Sequence, residues 1–77
     1  MRGINFSAVN LENAKLNGAI LKNANLKGAI LKNAYLGGAH LENANLIGAN
    51  LENSDLRLAN LESAVHYRAI LKKAKLI

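Results

Sequence analysis

Apolar residues recur along this chain with a period of five. Leucine stands at Leu11, Leu16, Leu21, Leu26, Leu31, Leu36, Leu41, Leu46, Leu51, Leu56 and Leu61 and, after a break at His66, at Leu71 and Leu76; Phe6 extends the series toward the N-terminus. Two positions before each of these lies a small residue. Alanine fills that position from Ala14 to Ala49, Ser54 interrupts, and Ala59, Ala64, Ala69 and Ala74 continue, with Ile4 and Val9 at the start. An α-helix turns about 500° over five residues, so the leucines would scatter around it and leave no apolar stripe. It would also carry Gly18, Gly28, Gly37, Gly38 and Gly48 at a cost. A continuous strand fails for a different reason: five is odd, so successive leucines would face opposite sides. The chain must therefore turn between repeats.

The turn has its own signal. The second residue after each leucine is Asn13, Gly18, Asn23, Gly28, Asn33, Gly38, Asn43, Gly48 and Asn53. Glycine and asparagine accept the positive φ that the third position of a type II turn requires. Each repeat thus reads as a very short strand followed by a corner. Four corners of roughly 90° close a coil of 20 residues, and the chain holds a little under four coils. At a strand spacing of about 4.8 Å the stack would be about 18 Å long. Alanine and leucine point inward to a thin, packed interior with no cavity.

A period of 20 stacks outward positions into columns. Glu12, Lys32, Glu52 and Lys72 then fall on one face with alternating sign. Lys22, Glu42 and Glu62 share a second face, and Lys15, Tyr35, Asp55 and Lys75 a third. Opposite charges on neighbouring strands contribute about 0.2–1 kcal/mol each, and another coil length would scramble the alternation. Asn13, Asn33 and Asn53 would form an amide ladder at a corner, and Asn25 and Asn45 another on a face.

These residues resemble the pentapeptide-repeat family, whose motif is loosely A-(D/N)-L-x-x. Ala24-Asn25-Leu26-Lys27-Gly28, Ala44-Asn45-Leu46-Ile47-Gly48 and Ala49-Asn50-Leu51-Glu52-Asn53 match it directly, and the resemblance covers nearly the whole chain. It implies an all-β fold, a right-handed quadrilateral parallel β-helix of about four coils; the handedness comes from the family. The expected organisation is a single solenoid over 1–77, with repeats from about 4 to 77. Ala64-Val65-His66-Tyr67-Arg68 lacks the central leucine, and an irregular repeat is expected at 64–68. The resemblance implies no one function, because a fold hosts many.

Composition narrows the chemistry. The 77 residues carry ten Lys and Arg against five Asp and Glu, a net charge of +5, and no cysteine or proline. No disulfide framework or thiolate metal site can form. The start, Met1-Arg2-Gly3-Ile4-Asn5, lacks the apolar run of a signal peptide, and no stretch is long enough for a membrane helix. A soluble cytoplasmic protein is the expectation. Ser7, Ser54 and Ser63 have no base in register, the glycines obey the corner period instead of forming a phosphate loop, and no carboxylate–histidine set has metal spacing. The chain is therefore read as no enzyme, with no cofactor and no metal. His40 is outward and solvated. His66 takes an inward position as an end-coil histidine. Tyr35 is placed to cover Lys15 or to pack on its neighbours.

Two candidate surfaces remain. A solenoid exposes apolar coil faces and unpaired strand edges at its ends. Phe6 would plug one end, and Leu71, Leu76 and Ile77 would line the other. Arg68, Lys72, Lys73 and Lys75 form a basic band near the C-terminus; Lys15, Lys22, Lys27 and Lys32 lie on four different faces and make no single patch. The expected function is a non-enzymatic structural or protein-interaction scaffold. It would self-associate through its coil ends as a homodimer or end-to-end oligomer, or form part of a longer rod, or hold another protein partner. A topoisomerase-binding DNA mimic is the first alternative, opposed by the basic charge and the short rod. A basic nucleic-acid-binding module is the second, opposed by the lack of an aromatic groove.

Overall fold

The computed structural model of the protein describes residues 3–76. Its chain winds as a square coil of four five-residue sides. Parallel β-bridges join residues 20 apart in eleven places, from Asn5↔Asn25 to Asp55↔Lys75. Each side contributes one bridged residue to the pairing, so the strands are as short as strands can be. The stack is a stubby block of 26 × 21 × 20 Å.

One repeat shows how the backbone is satisfied. Around Leu26, the Leu26 N–H donates to the Asn45 carbonyl at 2.8 Å and the Gly28 N–H to the Ile47 carbonyl at 2.8 Å, both in the next coil. The Ile30 N–H donates back to the Val9 carbonyl at 2.9 Å in the previous coil, and the Ala29 N–H closes the corner on the Leu26 carbonyl at 2.9 Å. The fifth N–H, of Lys27, goes to the Asn25 side-chain Oδ1 at 3.0 Å. Four donors are thus fixed by the coil and the fifth by the side chain before leucine. Asn5, Asn10, Asn45, Asn50, Asp55 and Asn60 do the same for residues two positions on. This local bond is the physical reason for Asn or Asp at that position. It also revises the expected amide ladder of Asn25 and Asn45, whose Oδ1 atoms turn to their own backbone.

The corners combine an i→i+3 hydrogen bond with a positive φ at the third residue, the signature of a type II turn. The corner asparagines from Asn13 to Asn53 and the corner glycines take φ between 61° and 70°. So do residues with no taste for it: Ala8, Leu58, Ser63, Arg68 and Lys73 lie between 59° and 65°. There the coil overrides local preference. The segment around His66 is one such case. The expected irregularity at 64–68 does not appear: Val65 bridges Asn45, the Ala69 N–H closes on the His66 carbonyl at 2.9 Å, and Arg68 turns with φ 61°. The backbone bonds that define the coil need no leucine side chain.

Leu21 through Leu56, at every fifth position, and Ala24 through Ala49 form the core, each no more than 2 % exposed. Phe6, Leu11, Leu16 and Leu61 pack against it from the ends, only partly covered. Ser54 occupies an alanine position fully buried, and its hydroxyl has no hydrogen-bond partner. A buried unpaired hydroxyl costs about 1–3 kcal/mol. Ser54→Ala is therefore expected to stabilise the fold by about 1 kcal/mol, read as a higher midpoint in denaturant unfolding. Leu58 sits in the left-handed region with its side chain 92 % exposed, so it packs on nothing in return. Leu58→Asn, the residue at five of the other corners, should gain up to about 1 kcal/mol in the same measurement.

Candidate interaction site

The last coil leaves an apolar hollow open to solvent. It has a volume of about 240 Å³ and is lined by Leu46, Leu51, Leu56, Leu61, His66, Leu71 and Leu76. The expectation of a packed interior with no cavity fails at this end. Leu71 and Leu76 are exposed at 37 % and 53 % because no coil lies over them. His66 takes the inward column of Phe6, Leu26 and Leu46 and is exposed on the rim. Ile77, the fourth residue assigned to the ends from sequence, lies outside the described residues. At the opposite end Phe6 rests half-buried against the core.

The edges of these end coils carry free backbone groups. No backbone partner among the described residues accepts from the N–H of His66, Arg68, Leu71, Lys73 or Leu76, and none donates to the carbonyls of Ala64, Ala69 or Ala74. At the other end, again among the described residues, no backbone N–H donates to the carbonyls of Asn5, Ser7, Asn10, Glu12 and Lys15, and the N–H groups of Asn5, Asn10 and Lys15 donate to no backbone carbonyl. Unpaired edges of this kind are templates for further strand pairing.

The basic residues divide over several columns. Arg68 stands at a corner with its guanidinium 5.3 Å from the Tyr67 ring centre. Lys72, Lys73 and Lys75 follow around the next corner, all exposed. None of the four belongs to the lining of the hollow. The charge columns align as their 20-residue spacing requires, but their long side chains do not close into ion pairs. Among the described residues, contacts within 4.0 Å join only Arg57 to Asp55 and His40 to Glu42. Solvated lysines and glutamates gain too little to be held in one geometry. Of the two placements open to Tyr35, covering Lys15 or packing on its neighbours, the first is not taken: the cation–π contact found among the described residues is that of Arg68 and Tyr67.

Asp55 and Arg57 were not singled out as a pair in the sequence. Arg57 donates through Nε to Asp55 Oδ1 at 2.9 Å and through Nη2 to Oδ2 at 2.7 Å. The two residues are two apart across a repeat centre, so both point outward; that spacing was the available signal. They border a shallow notch with Asn17, Gly37, Gly38 and Leu58. Gly37 opens it: a Cβ there would touch Asn17 Nδ2 at 3.3 Å and the Arg57 carbonyl at 3.6 Å. No group of three or more metal-ligating side chains occurs among the described residues. No helix among them is long and apolar enough to cross a membrane.

The comparisons with known proteins agree with this geometry. The family model for pentapeptide repeats matches eight copies over residues 4–43, 31–63 and 44–77. The chain belongs to the pentapeptide-repeat family, whose members form right-handed quadrilateral β-helices. No curated protein matches it in sequence. Among solved structures it is similar to the pentapeptide-repeat protein Rfr23 from the cyanobacterium Cyanothece 51142, at 41% identity and TM-score 0.71, covering 97% of this chain and 55% of Rfr23. It is similar to alr5209, a pentapeptide-repeat protein from Nostoc PCC 7120, at 36% identity and TM-score 0.57, covering 94% of this chain and 64% of that one. HetL, involved in regulation of heterocyst differentiation in Nostoc sp. strain PCC 7120, shares 38% identity at TM-score 0.52, covering 96% of this chain and 37% of HetL. This chain spans between about a third and two thirds of these relatives' lengths.

Hydrogen bonds from the Arg57 guanidinium and backbone, with its positive charge, hold the Asp55 carboxyl down at about 2. The free carboxyl of an unfolded chain titrates near 3.9. The folded value is the lower one, so the pair's contribution is present above about pH 4 and fades as pH falls toward 2. Arg57→Ala is expected to lower the melting temperature at pH 7 and to lower it much less at pH 2, as followed by circular dichroism.

Proposed function

We propose that this protein is a non-enzymatic, cytoplasmic scaffold that works by contact, and that its coil ends are the contact surface. The observation that carries this reading is the leucine-lined hollow of the last coil, rimmed by unpaired backbone donors and acceptors. An exposed apolar face with a free strand edge is a binding site in waiting. The lateral faces offer less: their side chains are short or solvated, and the notch at Gly37 is shallow, with its one guanidinium already held by Asp55. A second copy of the chain is the partner of this reading, because it presents the matching coil. A regulatory role of the kind named for HetL would be exercised through such contact.

Light scattering of the 77-residue protein over a wide concentration range tests this. Mass rising with concentration to a dimer or beyond is expected. A monomer at every concentration overturns the reading, and the lateral faces then become the place to look for a partner.

A further inference from the structure

We infer that a second copy stacks head to tail on the C-terminal end in one register, offset by four whole coils, so that every column of side chains continues into the same column of the next molecule. This rests on the self-association proposed above and adds its direction and register.

The edges are complementary in that direction. Within the chain the Leu46 N–H donates to the Val65 carbonyl, the Gly48 N–H to the Tyr67 carbonyl, and the Val65 N–H to the Ala44 carbonyl. Move this pattern one coil on, and the partners are the free groups at the two ends. The His66 N–H meets the carbonyl of Asn5 of the second copy. The Arg68 N–H meets that of Ser7, and the N–H of Asn5 meets the Ala64 carbonyl. The same three bonds repeat on the next side, where Leu71 and Lys73 meet Asn10 and Glu12 of the second copy and Asn10 meets Ala69. Nothing new is required of the backbone, since the bridge already occurs eleven times inside the molecule.

Side chains select the register. Rotating the second copy by one corner would preserve the backbone bonds but shift each column by a side. With a four-coil offset, Phe6 of the second copy covers His66, the one inward position of the last coil that lacks leucine. Phe6 and His66 share a column, so the bulky residue of one end lies over the polar, open corner of the other. The Glu12, Lys32, Glu52, Lys72 column then continues in phase, with Glu12 of the second copy beside Lys72. The same offset sets Lys15 of the second copy beside Lys75, a like-charge neighbour that offsets part of this gain. An end face one coil across is smaller than the roughly 800 Å² per partner of ordinary stable interfaces. Each contact is therefore weak, and the stack grows with concentration. It is also heterologous and does not close, so it builds short filaments instead of a single dimer.

The absence of cysteine gives a clean test. Stacked residues lie roughly 4.8 Å apart, inside the roughly 4.4–6.8 Å between Cα atoms that a disulfide spans. Ser7 and Tyr67 are exposed and share a column, as do Glu12 and Lys72. Ser7→Cys/Tyr67→Cys and Glu12→Cys/Lys72→Cys, mildly oxidised at high protein concentration, are each expected to give a ladder of dimers, trimers and longer species on a non-reducing gel. Ser7→Cys/Lys72→Cys, which pairs neighbouring columns, should stay monomeric. If the mismatched pair links and the matched pairs do not, the register is wrong while self-association stands. If Tyr67→Cys alone gives dimers, the ends meet face to face and the head-to-tail direction is overturned. If no variant links and scattering finds only monomer, the proposal and the self-association beneath it fall together.

Discussion

The corner turn is the constraint on which the rest of this structure depends. A third residue near φ +60° bends the chain through a right angle every five residues, and four such bends return it to its starting column. Only because the return comes after 20 residues do the N–H and carbonyl groups of one coil meet those of the next. Only because they meet can leucine and alanine be held in a dry interior so narrow. Asparagine and glycine make the corner cheap in most repeats. Where Leu58, Arg68 or Lys73 stands instead, the neighbouring coil's hydrogen bonds impose the same conformation against the residue's preference.

A second, quieter rule runs beside the first. Four of the five backbone donors in a repeat are taken by the coil, and the fifth points away from any carbonyl. Asn or Asp before the leucine captures it through Oδ1, as Asn25 and Asn45 do. Where Ile20, Tyr35 or His40 stands there, that bond is not made, and the exterior gains variety instead. This division explains how the fold tolerates many outward residues while keeping its backbone regular. It also explains why surface chemistry is spread so thinly. Each column carries at most one residue per coil, so no cluster of functional groups assembles on a side, and the ends are where the molecule presents a continuous apolar surface.

Much of the fold was legible because a period of five excludes helix and continuous strand on geometry alone. The core residues Leu21 to Leu56, the corners at Asn and Gly, and the 20-residue stacking all follow from that one number. Less of the surface was legible. The aligned charges of Glu12, Lys32, Glu52 and Lys72 suggested ion pairs, but sequence spacing fixes where a Cα lies and not where a long solvated side chain settles. The bidentate Asp55–Arg57 pair went unread because it runs along one side of the coil, across a repeat centre, and not between coils. The end residues Phe6, Leu71 and Leu76 were identifiable as ends from their positions. The hollow that Leu71 and Leu76 line with His66 was not, since its depth depends on how far the last coil leaves the one below uncovered.

By itself the sequence determined the coil: its side length, its four corners, its inward leucines and the family to which the chain belongs. These are local or strictly periodic properties, and a repeat writes them many times over. The tertiary structure alone decided how the exceptions behave. It made His66 part of a regular coil, placed Leu58 in a left-handed corner, buried the Ser54 hydroxyl without a partner, and left matching sets of donors and acceptors at opposite ends. Each of these depends on what lies one coil away, and contacts 20 residues distant are visible only once the chain has closed upon itself.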